Sequence, residues 1–139
     1  MTFRGTGVAI GSRALLLEGV PGTGKSSLAL ALIDRGAQLI GDDGVTLERH
    51  GEEVIATPPP NIAGLLEVRG VGLVELPTAQ AVPVALILTL GEKGDRLPER
   101  VAIRDLLGVS VPVLPFLPGE IAPAQRAELA LARHGLSGI

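Results

Sequence analysis

The sequence predicts a mixed α/β domain, richer in strand than in helix, organised around one glycine-rich loop that joins a strand to a helix. Three observations carry that expectation. Gly19-Val20-Pro21-Gly22-Thr23-Gly24-Lys25-Ser26 has the GxxxxGK[ST] spacing of a phosphate-binding loop (P-loop). Ala14–Leu17 before it is a short apolar run of the buried-strand type, and Ser27–Ile33 after it repeats apolar residues at helical spacing. Most of the remaining chain is cut by turn residues into short β-type runs, with one more helix near the end.

Taken in order, Thr6–Ile10 and Arg13–Glu18 flank the turn Gly11-Ser12 and read as a hairpin. Leu28, Ala29, Leu32 and Ile33 mark the buried side of a helix from Lys25 to Asp34, closed by Arg35-Gly36. Ala37–Ile40 is a short strand that ends at Gly41-Asp42-Asp43. Val45–Glu48 and Glu52–Ala56, turning at His50-Gly51, read as a second hairpin. Pro58-Pro59-Pro60-Asn61 is a stiff segment, polyproline-like or part of a site loop. Ile62–Leu66 reads as one helical turn, and Glu67–Leu76 as a single strand interrupted by glycines. Val84–Leu90 is the most hydrophobic strand and is therefore placed centrally. Pro98–Leu107 suits either a proline-opened helix or a strand. Val111–Leu114 reads as an edge strand, because Pro112 has no N–H for a ladder. Ala122–His134 is a helix stopped by Gly135.

At 139 residues the chain is expected to be one domain, residues 1–139. Hydrophobic residues make up 46% but aromatic ones only 1%, so the core must be built from Leu, Val, Ile and Ala. A net charge of −3 with only two lysines argues against nucleic acid or an anionic membrane as partner. The absence of cysteine excludes disulfides, thiolate chemistry and Cys-type zinc sites. No signal-peptide pattern opens the chain, and Val82–Leu90 is about half the roughly 20 residues needed to span a bilayer. The expected location is cytoplasmic.

The loop chemistry follows from its residue types. Glycines let the backbone wrap a phosphate chain, and the first N–H groups of the following helix complete an anion site. Gly19 through Ser26, with Ser27 opening the helix, are the candidate nucleotide-binding residues. Lys25 is placed to reach the β- and γ-phosphates, and Ser26 to ligate Mg²⁺. A Mg·nucleotide also needs an acid at the end of a neighbouring strand. Asp42 and Asp43 are the paired acids that follow an apolar strand, one to hold the metal and the other to orient or deprotonate an acceptor hydroxyl. Glu67 is a candidate further metal ligand, Arg69 a candidate clamp on a phosphoryl oxygen, and Arg4 a candidate phosphate contact. His50 and His134 read as exposed caps. No NKxD-like segment supports a guanine-specific GTPase.

Together these runs resemble a known family. Gly19–Leu30, Ile33–Asp43 and Gly64-Leu65-Leu66-Glu67-Val68-Arg69-Gly70-Val71-Gly72-Leu73, with Arg96-Leu97-Pro98-Glu99 behind them, are similar to the catalytic C-terminal domain of HPr kinase/phosphorylase, in a short form without the N-terminal domain. The resemblance covers roughly residues 4 to 134. It implies a P-loop domain of the type shared with phosphoenolpyruvate carboxykinase, with a mixed sheet and few helices. It also implies ATP- and Mg²⁺-dependent phosphorylation of a serine on the phosphocarrier protein HPr, reversal by phosphorolysis, and assembly as a homo-oligomer, in the family a hexamer. By matched motif, Asp42 falls at the catalytic aspartate, Asp43 and Glu67 at acidic positions near the metal, and Arg69 at the arginine of the second signature. One position departs from the pattern: where the family carries a histidine, this chain has Arg4 in Arg4-Gly5-Thr6-Gly7-Val8-Ala9. An arginine accepts no proton near pH 7, but it can bind phosphate or pair with Asp42. Two functions are therefore expected to compete: a serine kinase acting on HPr, and a nucleotide-binding regulatory protein that works through a partner without phosphotransfer.

Overall fold

The computed structural model describes residues 1–61 and 63–137. In chain order these form β1 (Thr2–Phe3), β2 (Thr6–Ile10), β3 (Arg13–Glu18), α1 (Lys25–Asp34), β4 (Gln38–Gly41), β5 (Val45–His50), β6 (Glu53–Thr57), β7 (Leu65–Val68), β8 (Gly72–Glu75), β9 (Val82–Leu90), β10 (Ala102–Leu106), β11 (Val109–Phe116) and α2 (Pro123–His134). No described helix is long and apolar enough to cross a membrane.

The most apolar run becomes the longest strand, and the sheet is assembled on it. β9 pairs in parallel with β3, matching Leu86, Ile87 and Leu88 to Leu15, Leu16 and Leu17. It also pairs in parallel with β11, from Ile87–Val113 to Leu90–Phe116, while Val82 and Pro83 pair antiparallel with β6. The path through the sheet is β1-β5-β6-β9-β3-β2-β4, with β11 on β9 and β10 beyond it. Side chains alternate along a strand. Leu15, Leu17, Leu86 and Leu88 therefore pack under Leu28, Ala29 and Leu32 of α1 and Ala124, Ala127 and Leu131 of α2. Leu16 and Ile87 face the other way, into a second core with Phe3, Ile40, Val45, Leu47, Val54 and Val111. Apart from Ala79, that core is built from strand residues, so the mixed sheet curls over itself on this side. Ala85 is an extra residue between the Ala14–Val84 and Leu15–Leu86 pairs, a bulge. Its carbonyl accepts the N–H of Leu136 at 2.9 Å, drawing the chain after α2 back to the sheet.

Most expected elements form, with informative differences. Glu67–Leu76 is a hairpin, because Gly70 takes φ 81° and the N–H of Val71 returns to the carbonyl of Val68. The helical turn expected over Ile62–Leu66 is replaced by a turn at Ala63-Gly64 and the start of β7; Ile62 itself lies outside the described residues. Pro98–Leu107 resolves into a loop followed by β10. β11 is not an edge strand: Pro112 pairs only with β10 and Pro115 only with β9, so each proline faces a single partner. β1, pairing with β5, was not legible from its two residues.

A bidentate ion pair closes one end of the curl. The guanidinium of Arg104, on β10, donates to both carboxylate oxygens of Glu18, at the end of β3, at 2.6 Å each. The Arg104 hydrogen bonds hold the Glu18 carboxyl below the ordinary carboxylate value, and the carboxylate in turn raises Arg104. A lowered carboxyl pKa contributes stability above the unfolded-state value, and that contribution is lost as pH falls through the folded value. In urea melts from pH 7 toward 3, the stability advantage of the wild type over Glu18→Gln should shrink as pH falls. A pH-independent difference would show that ionisation of Glu18 is not linked to folding. Ile87, fully buried against the second core, should cost about 2–5 kcal/mol when truncated to Ala, read from the same melts at pH 7.

Candidate active site

The Gly19–Ser26 loop leaves the carboxyl end of β3 and runs directly into α1. Gly19 has φ 153°, and a Cβ there would lie 2.6 Å from Thr23 Oγ1 and 2.9 Å from the carbonyl of Leu90, so only glycine fits without displacing them. Gly24 caps α1 in the left-handed region at φ 93°, with no side-chain cap and no acid in the first turn. The N–H groups opening α1 thus have no side-chain acceptor, the condition in which a helix start attracts an anion. Thr23 Oγ1 donates to the carbonyl of Val20 at 2.9 Å and fixes the bend. The Lys25 ammonium is folded onto the loop, 2.6 Å from the carbonyl of Gly19 and 3.3 Å from that of Val20. Val20, at the tip, is 72% exposed.

Asp42 is the node that joins this loop to the rest of the site. Ser26 Oγ donates to Asp42 Oδ1 at 2.7 Å. The hydroxyl of Thr6, fully buried, donates to the Asp42 carbonyl at 2.9 Å and to Oδ1 at 3.2 Å. The backbone N–H of Glu67 donates to Oδ2 at 3.0 Å, docking the β7–β8 hairpin against the same carboxylate. β4 delivers Asp42 because it pairs with β2, the strand that carries Thr6 and lies beside β3. The turn needs glycine at Gly41, where a Cβ would overlap the carbonyl of Gly44 and meet Pro59 Cδ.

The other candidates lie around this node with looser ties. Asp43 is exposed, with no hydrogen bond to its carboxylate among the described residues. The side chains of Glu67 and Arg69 are exposed on the hairpin; Glu67 reaches Asp42 through its backbone. Arg4 is exposed in the bend before β2, next to Gly5, whose carbonyl accepts the N–H of Gly44. No Arg4–Asp42 ion pair forms among the described residues; the Asp42 oxygens are taken by Ser26, Thr6 and Glu67 N–H. Nor do three or more acids or histidines gather there into a metal cluster among the described residues. A hard cation would instead find one hydroxyl and one carboxylate oxygen side by side, with other ligands left to phosphate or water, a pattern that suits Mg²⁺. His50 is exposed beside Glu48, away from these contacts.

Arg126 is a residue that sequence reasoning missed. From α2 it donates to the carbonyls of Leu117, Pro118 and Ile121 and lies 4.9 Å over the ring of Phe116. This clasp holds Pro118-Gly119 beside the loop, where a cleft of about 270 Å³ is lined by Gly22, Gly24, Ser27, Leu28, Pro118 and Pro123. One arginine in an amphipathic helix gives no signal of that role. Thr6 gives equally little.

The family model for the HPr Serine kinase C-terminal domain matches residues 1–120. The chain is similar to HPr kinase/phosphorylase of Clostridium tetani, 36% identical over 138 aligned residues spanning 88% of this chain and 45% of that protein. It is similar to HPr kinase/phosphorylase of Chlorobium phaeobacteroides, 34% identical over 134 aligned residues, 85% of this chain and 42% of that protein. The chain thus spans less than half the length of these relatives. Among solved structures, the Hpr(Ser) kinase/phosphatase from Coxiella burnetii superposes with a TM-score of 0.80 at 26% identity, covering 95% of this chain and 89% of that one.

Thr6→Val keeps the shape of the side chain but leaves Asp42 without its buried donor. It should cost about 1–3 kcal/mol in denaturant melts, and Thr6→Ser should recover most of that loss. Equal stability of all three proteins would show that the Thr6 hydroxyl does not support Asp42.

Proposed function

The chain belongs to the HPr serine kinase C-terminal domain family, and we propose that it is a P-loop kinase domain that transfers the terminal phosphoryl group of ATP to a serine of the phosphocarrier protein HPr. The observation that carries this reading is the 2.7 Å contact between Ser26, in the GxxxxGK[ST] loop, and Asp42 at the end of a strand near the loop's own. A hydroxyl and a carboxylate so placed are the protein's share of a Mg·nucleotide site. Magnesium, when bound there, supplies neutralisation of phosphate charge. Gly19–Ser27 would wrap the phosphates with backbone N–H groups. Lys25 would exchange the carbonyls of Gly19 and Val20 for phosphate oxygens, since an ammonium gains more from an anion than from a carbonyl.

The distances favour a division of labour between the two aspartates that reverses the one implied by family resemblance. Asp42, bonded to Ser26, suits the metal side. Asp43, exposed next to it, is the carboxylate open to a protein-sized acceptor and able to take the serine proton. The exposed side chains of Glu67 and Arg69 lie on the hairpin docked at Asp42, where Glu67 can assist the cation and Arg69 can steady a transferring phosphoryl group. In the same site inorganic phosphate attacking phosphoserine, with the seryl oxygen leaving and taking a proton and pyrophosphate formed, gives the phosphorolysis of the family. Action on HPr places the protein in the cytoplasm, and assembly with further copies of itself, as the hexamer of the family, belongs to the same reading.

A second reading draws on Arg4, which stands where a proton-accepting histidine is expected and cannot replace it in that role. In that reading the chain binds nucleotide and signals through a partner. Incubation with Mg·ATP and HPr separates the two: label transferred to serine supports the kinase, and tight ATP binding without transfer supports the regulator. Lys25→Ala should weaken both ATP binding and transfer. Asp43→Asn should lower transfer by roughly 10²–10⁴ with Mg·ATP affinity within a few-fold of the wild type. Asp42→Asn should weaken the Mg²⁺-dependent part of ATP binding as well. Loss of transfer at unchanged affinity in Asp42→Asn would instead make Asp42 the base.

A further inference from the structure

Glu18 is the last residue of β3, one peptide bond before Gly19, and its carboxylate is fully engaged. Besides the two Arg104 contacts at 2.6 Å, Thr89 Oγ1 donates to Oε2 at 2.7 Å. Thr89 is the ladder partner of Glu18 on β9. Arg104 comes from much farther along the sheet. β10 pairs with β11, and β11 with β9, so β3 and β10 are three ladder steps apart, about 14 Å on a flat sheet. Direct contact across that interval is possible only because the sheet curls. A guanidinium fork bound to both carboxylate oxygens fixes the direction of the carboxylate as well as its distance.

This fixed carboxylate stands at the entrance to the loop. The next residue, Gly19, supplies the carbonyl on which Lys25 rests and is hemmed in by the carbonyl of Leu90. A free carboxylate so close to a polyanion site would repel the ligand. Arg104 cancels that charge while holding the strand end in place. It does so from a hairpin that carries none of the loop, aspartate or second-signature residues. We propose that Arg104 and Glu18 are a positioning pair for the phosphate site: Arg104 sets the entrance of the loop through Glu18 and masks a carboxylate that would otherwise oppose phosphate binding. The proposal rests on the nucleotide reading above. Arg104 is a positioning residue, acting on the ligand through Glu18 and through charge.

Charge and geometry can be separated by varying both the protein and the ligand. Calorimetric affinities of the folded full chain for ATP, ADP and AMP without Mg²⁺, which carry about four, three and two negative charges, are compared for the wild type, Arg104→Met, Glu18→Gln and the double variant. Arg104→Met unmasks Glu18 and should weaken ATP about tenfold, ADP less and AMP least, in the order of their charge. Glu18→Gln leaves the guanidinium unopposed and should shift the preference the other way, raising ATP affinity relative to AMP. The double variant should return the preference close to that of the wild type. A pair that only holds the sheet together would lower stability in both single variants and move the ATP-to-AMP preference in neither, or in the same direction in both; either result overturns the proposal. If Arg104→Met does not fold, Glu18→Gln decides alone: an unchanged or lowered ATP preference overturns it. A wild-type chain that binds none of the three nucleotides, with or without Mg²⁺, overturns the nucleotide reading and this proposal with it. Wild-type binding with unaltered preferences in the variants overturns the pair and leaves the nucleotide reading standing.

Discussion

The parallel pairing of β3 with β9 is the constraint on which the rest of the molecule depends. It sends the carboxyl ends of both strands out at one edge, where Glu18 leads into Gly19 and Leu90 into Gly91. The two segments that follow are close enough for Gly19 to be confined by the carbonyl of Leu90, and for a Cβ on Gly91 to lie 3.0 Å from Thr23 Cγ2. Such an arrangement requires β9 to be covered on both faces, and the chain supplies the cover in two ways. Helices α1 and α2 take one face, and the sheet's own far strands take the other. With almost no aromatic side chains available, Leu, Ile, Val and Ala fill both cores, and close backbone approach is made possible by small residues.

The order β3-β2-β4 has a consequence for the site. The sheet's edge and the β7–β8 hairpin meet at one point: Ser26 at the start of α1, Asp42 after β4, Thr6 on the neighbouring β2 and the backbone of Glu67 on β7. Thr6 has no exposure to solvent, so its bonds to Asp42 are not in competition with water. Asp42 is therefore held through both its carbonyl and its carboxylate, whereas Asp43 one residue later is left in solvent. The two adjacent acids acquire unlike surroundings in the bend that follows β4, where Asp42 is half-buried and Asp43 is exposed. That difference supports the proposed division of roles between them.

Charge is arranged with the same economy. The ammonium of Lys25 rests on loop carbonyls, and the start of α1 carries no acidic side chain. The carboxylate nearest the loop entrance along the chain, Glu18, is masked by Arg104 and Thr89. A chain of net charge −3 thus keeps negative charge from opposing its proposed phosphate site by local pairing, without an overall positive field.

The sequence alone determined the strand–loop–helix unit, because its spacing, glycines and apolar flanks are local features fixed within about twenty residues. It also determined the central place of Val84–Leu90, both long helices with their stops, and the candidacy of Asp42, Asp43 and Glu67. Tertiary structure decided what depends on contacts between distant residues. It split Glu67–Leu76 into a hairpin, since a glycine turn and an interrupted strand look alike in one dimension. It placed β11 inside the sheet, because the prolines are tolerated only through a staggered pairing that local sequence does not encode. It distinguished Asp42 from Asp43, and it recruited Thr6, Arg104 and Arg126, whose residue types are ordinary at their positions. Their hydrogen bonds span 36, 86 and 8 residues and are fixed by the pairing of β2 with β4, by the curl of the sheet and by the turn into α2 respectively.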